Sequence, residues 1–135
     1  MVSFDGDPIE ITPPDYFDGP HMIKHNVKYY LMYSNGKAID ATYNIRYSVS
    51  ETPLGPWTEG PYSPILSTSQ DSTTYGPGHH TVFTENNQDY ILYHRIYTQK
   101  NEYVLRQHCI DRLTYVGEGN ILRIQPKGVV NFTKK

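Results

Sequence analysis

Two short segments carry most of the chemistry this sequence offers: Asp18-Gly19-Pro20-His21 and Gly76-Pro77-Gly78-His79-His80. Each sets ionisable groups beside glycine and proline at the head of a strand-like run. A carboxyl or imidazole held there can hydrogen-bond a ligand or stand beside a cation. An aspartate before Gly-Pro can equally cap its own turn. A single histidine does not define a calcium site, because calcium takes oxygen ligands. The 13 tyrosines supply rings that pack strands while keeping a polar tip, or that stack on sugars. Cys109 is the only cysteine, so neither an internal disulfide nor a thiolate pair for zinc can form. It reads as a small packing residue.

The elements that must position these groups are strands. No window of a dozen residues keeps an apolar stripe at helical spacing. Ten glycines and ten prolines punctuate short β-rich runs, predicting strands over 9–12, 21–25, 29–34, 43–50, 63–66, 80–85, 89–97, 103–115 and 121–125. The run 103–115 is long for one strand and predicts a bulge or an early end. Asn26-Val27 and Asn86-Asn87 read as hairpin turns, although Val27 resists the left-handed backbone that the tightest turns need. Gly117-Glu118-Gly119-Asn120 closes a last hairpin. Trp57 reads as the cap of a sheet edge.

A repeat appears at an offset of sixty. Tyr30-Leu31-Met32-Tyr33 falls on Tyr90-Ile91-Leu92-Tyr93, and Arg46 falls on Arg106. Each unit holds four strands, about 18–66 and 76–126. The expected fold is therefore all-β: a partial β-propeller of two four-stranded antiparallel blades plus one extra strand, in a single domain over 1–135. Propellers gather the starts of their first strands at a shared axis, where a ligand can sit. Two blades do not close a ring, and both ends would present unpaired edges and apolar faces. The expectation is a homo-oligomer, another partner chain, or a part of a longer protein.

Net charge is −2 and the isoelectric point about 6.3, which argues against a nucleic-acid partner. Lysines and arginines are scattered among the acids, so no patch suggests a membrane surface. No apolar run reaches the length of a span or a leader core. A soluble protein is expected, with its compartment open.

Taken together these segments resemble glycoside hydrolase family 43. Asp18-Gly19-Pro20-His21-Met22-Ile23-Lys24 with Lys28-Tyr29-Tyr30-Leu31-Met32-Tyr33-Ser34 is similar to its E-G-P-x-hydrophobic-x-K … Y-Y-L-x-Y-S segment. Ser50-Glu51-Thr52-Pro53-Leu54-Gly55-Pro56-Trp57 is similar to its S-x-S-P-x-G-P-[WF] connection. Gly76-Pro77-Gly78-His79-His80-Thr81-Val82 with Tyr90-Ile91-Leu92-Tyr93-His94-Arg95 resembles G-x-G-H-[HN]-S-V … W-Y-I-V-Y-H-R, and Arg106 to Leu113 resembles the arginine strand of the last blade. The match runs through roughly residues 5 to 126 and corresponds to the family's C-terminal half. The family implies a five-bladed propeller and inverting arabinofuranosidases, xylosidases and arabinanases, often secreted or periplasmic.

Carried onto this chain, the resemblance makes Asp18 the general acid, in a position the family fills with glutamate. It makes His79 the axial histidine beside a central calcium or other cation, and Arg106 a substrate-facing arginine. Phe17, His21 and Tyr75 become candidates to line the pocket, and His80 faces the opposite side of its strand. The family's general base and the aspartate that tunes its acid have no counterpart here. Asp5, Asp7, Asp15 and Asp40 are present as carboxylates, and nothing in their contexts selects one. An inverting glycosidase needs two carboxyls roughly 6.5–9.5 Å apart with water between. The expected function is an inverting glycosidase of the α-L-arabinofuranosidase or β-xylosidase type. It would act on arabinose- or xylose-containing plant polysaccharide, in an assembly that completes the ring. The alternative is a non-catalytic half-propeller that oligomerises and at most binds carbohydrate.

Overall fold

The computed structural model describes residues 6–100 and 103–126. Nine strands follow one another: β1 Asp18–His25, β2 Lys28–Asn35, β3 Asn44–Ser50, β4 Thr58–Glu59, β5 Gly78–Glu85, β6 Gln88–Lys100, β7 Tyr103–Arg112, β8 Tyr115–Val116 and β9 Asn120–Ile121. They form antiparallel sheets ordered β1-β2-β3-β4, β5-β6-β7 and β8-β9. Among the described residues there is no helix, and so none long and apolar enough to cross a membrane.

The sixty-residue repeat is a repeat of hydrogen-bond register. Asp18 pairs with Ser34 and His21 with Met32; Gly78 pairs with His94 and Thr81 with Leu92. In each unit the register shifts between those two pairs, so even the bulge recurs at the same place. The residue inside it takes a left-handed backbone: Gly19 at φ 62° in the first unit, His79 at φ 46° in the second.

Both hairpins close with two residues, His25 opposite Lys28 and Glu85 opposite Gln88. Asn86 and Asn87 are both left-handed, as the tightest hairpin turn demands. In the first hairpin Asn26 alone is left-handed, which resolves the conflict with Val27. Asn87→Ala is expected to cost about 1 kcal/mol in a urea melt, since alanine lacks the local hydrogen bonding that eases this conformation. A loss below a few tenths would mean that the turn relaxes.

The third strands do not repeat at sixty. Tyr33 pairs with Arg46, whereas Tyr93 pairs with Cys109 and Arg106 pairs with Ile96. Arg46 and Arg106 are therefore not equivalent. β6 runs on past Tyr97 to Lys100, with a register shift between Ile96 and Thr98, and the longer hairpin slides β7 along its partner. The expected 103–115 strand does end early, at Arg112.

Three further expectations change. Residues 9–12 form no strand; Ile9 is exposed, and prolines flank the run. Residues 63–66 contribute only a bridge, Ile45 with Leu66, because Pro64 has no N–H to give. The edge of β3 is covered instead by β4 against Ser48 and Val49. Residues 121–125 do not add a fourth strand to the second sheet. Ile121 pairs with Tyr115 in the small hairpin, and the Ile124 amide donates to the Ile65 carbonyl at 2.8 Å. The second blade thus has three strands, and the chain after β9 crosses back to the first unit.

One core joins the units: Tyr30, Met32, Ile45, Tyr47, Ile65 and Leu66 meet Ile91, Tyr93, Leu113 and Ile121. Two of its tyrosines, Tyr30 and Tyr93, have their hydroxyls hydrogen-bonded. Tyr30 donates to the Gly119 carbonyl at 2.6 Å and Tyr93 to Asp111 at 2.9 Å. Cys109 packs against this cluster, and burial pushes its thiol up, away from the thiolate a nucleophile needs. The Trp57 ring lies over Gly55, where a Cβ would come within 2.9 Å of it.

Candidate functional site

The two bulges bring their polar groups together. Asp18 opens β1, His79 sits in the head of β5, and His79 Nδ1 lies 3.6 Å from Asp18 Oδ2. The other carboxylate oxygen, Oδ1, accepts a 2.6 Å hydrogen bond from the Tyr43 hydroxyl. Ser34, opposite Asp18 in the register, turns its Oγ to accept the His79 amide at 2.9 Å. His94, Ser34's counterpart at sixty, stacks on Tyr43 at 5.8 Å and faces His79 at 6.3 Å. The Phe17 ring meets Tyr43 edge-on at 6.3 Å. Strand starts from β1, β3 and β5 and the interior of β6 therefore converge on one carboxylate.

The site is open. The His79 side chain is 61% exposed and that of Asp18 34%, and Phe17 is exposed beside them. Tyr43 is fully buried. Its phenol is pushed far up, first by burial and then by the hydrogen bond to Asp18, so Tyr43 stays a donor. Burial lowers the His94 imidazole to about 4, helped by the Arg106 and His79 charges. His94 is therefore neutral near pH 7.

Arg106 lies opposite Ile96 on β7, and its positive charge helps lower the His94 imidazole. Its guanidinium Nη2 donates to the Ala38 carbonyl at 3.0 Å. Arg46 is spent elsewhere, on Glu59 at 2.9 Å and Asp15 at 3.6 Å. Tyr75 gives its carbonyl to the Ile96 amide at 2.8 Å, across the strand from Arg106. His21 lies deeper, between the blades: its Nε2 accepts the Val82 amide at 3.3 Å, and its ring meets His80 at 5.9 Å. Of the candidates, Asp18, His79 and Phe17 gather around Tyr43, and His21 packs against Val82 and His80. Asp40 Oδ1 caps its own turn through Thr42, and Asp5 lies outside the described residues.

His80 is packed, 6% exposed, with neither ring nitrogen hydrogen-bonded. Burial lowers it to about 3 from an ordinary 6.5. The unfolded chain thus binds protons between pH 6.5 and 3 that folded His80 and His94 refuse. Stability is complete above pH 6.5 and declines as pH falls through that window. Urea melts at pH 7 and pH 5 are expected to differ by about 2 kcal/mol from His80 alone, and His80→Phe should flatten the dependence. An unchanged slope in that variant would contradict the assignment.

Among the described residues no three His, Cys, Asp or Glu side chains converge to hold a metal ion. One carboxylate and one imidazole fall well short of the six to eight oxygens calcium takes. The residues present do not by themselves fit a calcium cage; a cation beside His79 would need nearly all its ligands from water or from outside these residues.

The sequence matches the profile of glycosyl hydrolases family 43 over residues 1–121. The chain belongs to that family. It is 40% identical over 125 residues to the β-D-galactofuranosidase xynD of Aspergillus niger, covering 92% of this chain and 36% of that protein. It is 28% identical over 129 residues to a xylosidase/arabinosidase of Bacteroides ovatus, covering 94% and 37%. Among solved structures, a thermostable family-43 glycoside hydrolase superposes with a TM-score of 0.75 at 31% identity, over 96% of this chain and 47% of that one. The α-L-arabinofuranosidase of Lactobacillus brevis gives 0.77 at 19%, over 95% and 45%, a likeness of fold. The chain spans little more than a third of the length of these curated relatives. Its sheets are those of a partial family-43 propeller.

Two members of this cluster escape a reading of the sequence. Tyr43 looks like any strand tyrosine, and His94 lies in a motif that marks a strand. The signal for His94 was available: at an offset of sixty it falls on Ser34, opposite a bulge that holds a chemical group. His79 pays for its place with a left-handed backbone where the repeat uses glycine. His79→Gly is expected to raise stability by up to about 1 kcal/mol while removing the imidazole beside Asp18. A thermal melt that falls instead would show the bulge to be unstrained.

Proposed function

We propose that this chain forms the acid-bearing part of a family-43 glycosidase that cleaves arabinose- or xylose-containing plant polysaccharide with inversion. Asp18 protonates the departing glycosidic oxygen. A carboxylate outside the described residues activates water on the opposite face of the sugar. Arg106 and Phe17 line the sugar's approach, and His79 stands beside the acid toward the axis. The observation that carries this reading is the half-exposed Asp18 carboxyl, held on one oxygen by Tyr43 and facing His79 with the other.

The base comes from further blades, supplied by another copy, another chain or another part of a longer protein. An apolar face favours this: Phe83, Leu92 and Ile110 share one side of the second sheet and are 42%, 37% and 44% exposed. Such a row is what a neighbouring blade covers. The similarity to a galactofuranosidase adds a third sugar to the test.

Aryl α-L-arabinofuranosides, β-D-xylosides and β-D-galactofuranosides form the assay panel, with proton NMR of the first-released anomer. Release of the inverted anomer from one of them is expected. Retention, or no turnover by any assembled form, would overturn the reading. The aspartate in a position the family fills with glutamate favours a second reading, a half-propeller that binds sugar without cleaving it. Calorimetry with arabino- and xylo-oligosaccharides would then show heat where the assay shows no turnover.

A further inference from the structure

We infer that Tyr43 is a positioning residue that divides the labour of the two Asp18 oxygens: it holds Oδ1, so that the proton given to the substrate travels on Oδ2. This rests on the assignment of Asp18 as the acid.

The division follows from geometry. Tyr43 stands immediately before β3, and its hydroxyl reaches back to Oδ1 at 2.6 Å, at the short end of O–H···O hydrogen bonds. Oδ2 points the other way, toward the exposed His79 at 3.6 Å. A carboxyl with one oxygen clamped by a permanent donor cannot place its own proton there without losing that bond. The proton therefore sits on the side that substrate can approach. In the step itself the Oδ2–H bond breaks and the proton passes to the glycosidic oxygen. The sugar C–O pair leaves with that oxygen, and Tyr43 keeps its proton throughout. Burial and the neighbouring carboxylate both push the phenol up, which keeps it protonated.

The clamp is itself held from three sides. A Cβ at Gly78 would fall 1.9 Å from the Tyr43 ring, so the ring rests directly on the β5 backbone. His94 stacks on it at 5.8 Å and Phe17 closes its edge at 6.3 Å. Aspartate is one methylene shorter than glutamate and has less reach. A ring fixed this firmly defines where the shorter acid points, and small displacements of a reacting group are costly.

The test uses wild type, Tyr43→Phe and Asp18→Asn on aryl glycosides whose phenols run from dinitrophenol to unsubstituted phenol. A dinitrophenolate departs without a proton, whereas phenol needs one. Tyr43→Phe is expected to lose roughly ten- to a hundredfold in kcat on the phenyl glycoside, with KM unchanged and the dinitrophenyl glycoside spared. Equal loss across the series would mean that Tyr43 only supports the fold, and would overturn the proposal. Asp18→Asn without leaving-group dependence would instead remove the acid assignment, whatever Tyr43 does. NMR of hydroxyl protons reads the clamp without turnover. A slowly exchanging low-field proton is expected in wild type and lost in both Tyr43→Phe and Asp18→Ala. Its absence from wild type would overturn the clamp while leaving the acid assignment standing.

Discussion

Asp18→Ala is expected to lower hydrolysis of a phenyl arabinofuranoside or xyloside by about a hundred- to ten-thousandfold, the usual worth of a positioned general acid. The protein should remain folded. Asp18 lies at a strand mouth and is part-exposed, and its contacts are the Tyr43 hydroxyl and His79. Removing it leaves the Tyr43 hydroxyl without its acceptor, a loss of about 1–3 kcal/mol in a buried setting. Catalysis should therefore fall far more than stability does. Azide or formate, small anions able to occupy the vacated space, should not restore proton donation to a poor leaving group. Activity surviving unchanged in this variant would take Asp18 out of the chemistry.

Ile91→Ala should have the largest effect on stability, about 2–5 kcal/mol in denaturant melts. Ile91 is fully buried in the cluster that binds β2 and β3 to β6 and to residues 65, 113 and 121. A cavity there weakens both sheets together, and total stabilities of domains this size run to only about 5–15 kcal/mol. One transition at a lower midpoint is expected. Two separate transitions would show that the units fold independently and share no core.

Much of the fold was legible because register repeats. The Gly-Pro heads, the alternating runs and the two asparagine turns recur at sixty, and the paired strands β1-β2 and β5-β6 recur with them, bulge included. The third strands were misread, since nothing in the residues near Arg106 tells that β6 and β7 extend their hairpin to Lys100 and Tyr103. The edges were misread for a related reason. Whether 63–66 or 121–125 joins a sheet depends on which backbone groups remain unpaired nearby, and Pro64 and the β8-β9 hairpin decide that.

The site divides in the same way. Asp18 and His79 announce themselves through glycine and proline, because a bulge that aims a side chain needs a special backbone. Tyr43 and His94 do not. Their part depends on a close approach to Gly78 and on stacking across strands, which spacing along one chain does not encode. His21 stands at the same bulge as Asp18, yet its ring nitrogen is taken by the Val82 amide, a contact across the blades that spacing does not encode.

The half-site reading is tested most directly by measuring mass and activity on the same fractions, with light scattering in line with chromatography and each fraction assayed on the aryl glycoside panel. Turnover is expected only where the mass exceeds that of one 135-residue chain, and it should vanish from those fractions in Asp18→Ala. Full turnover in a fraction at the mass of a single chain would contradict it.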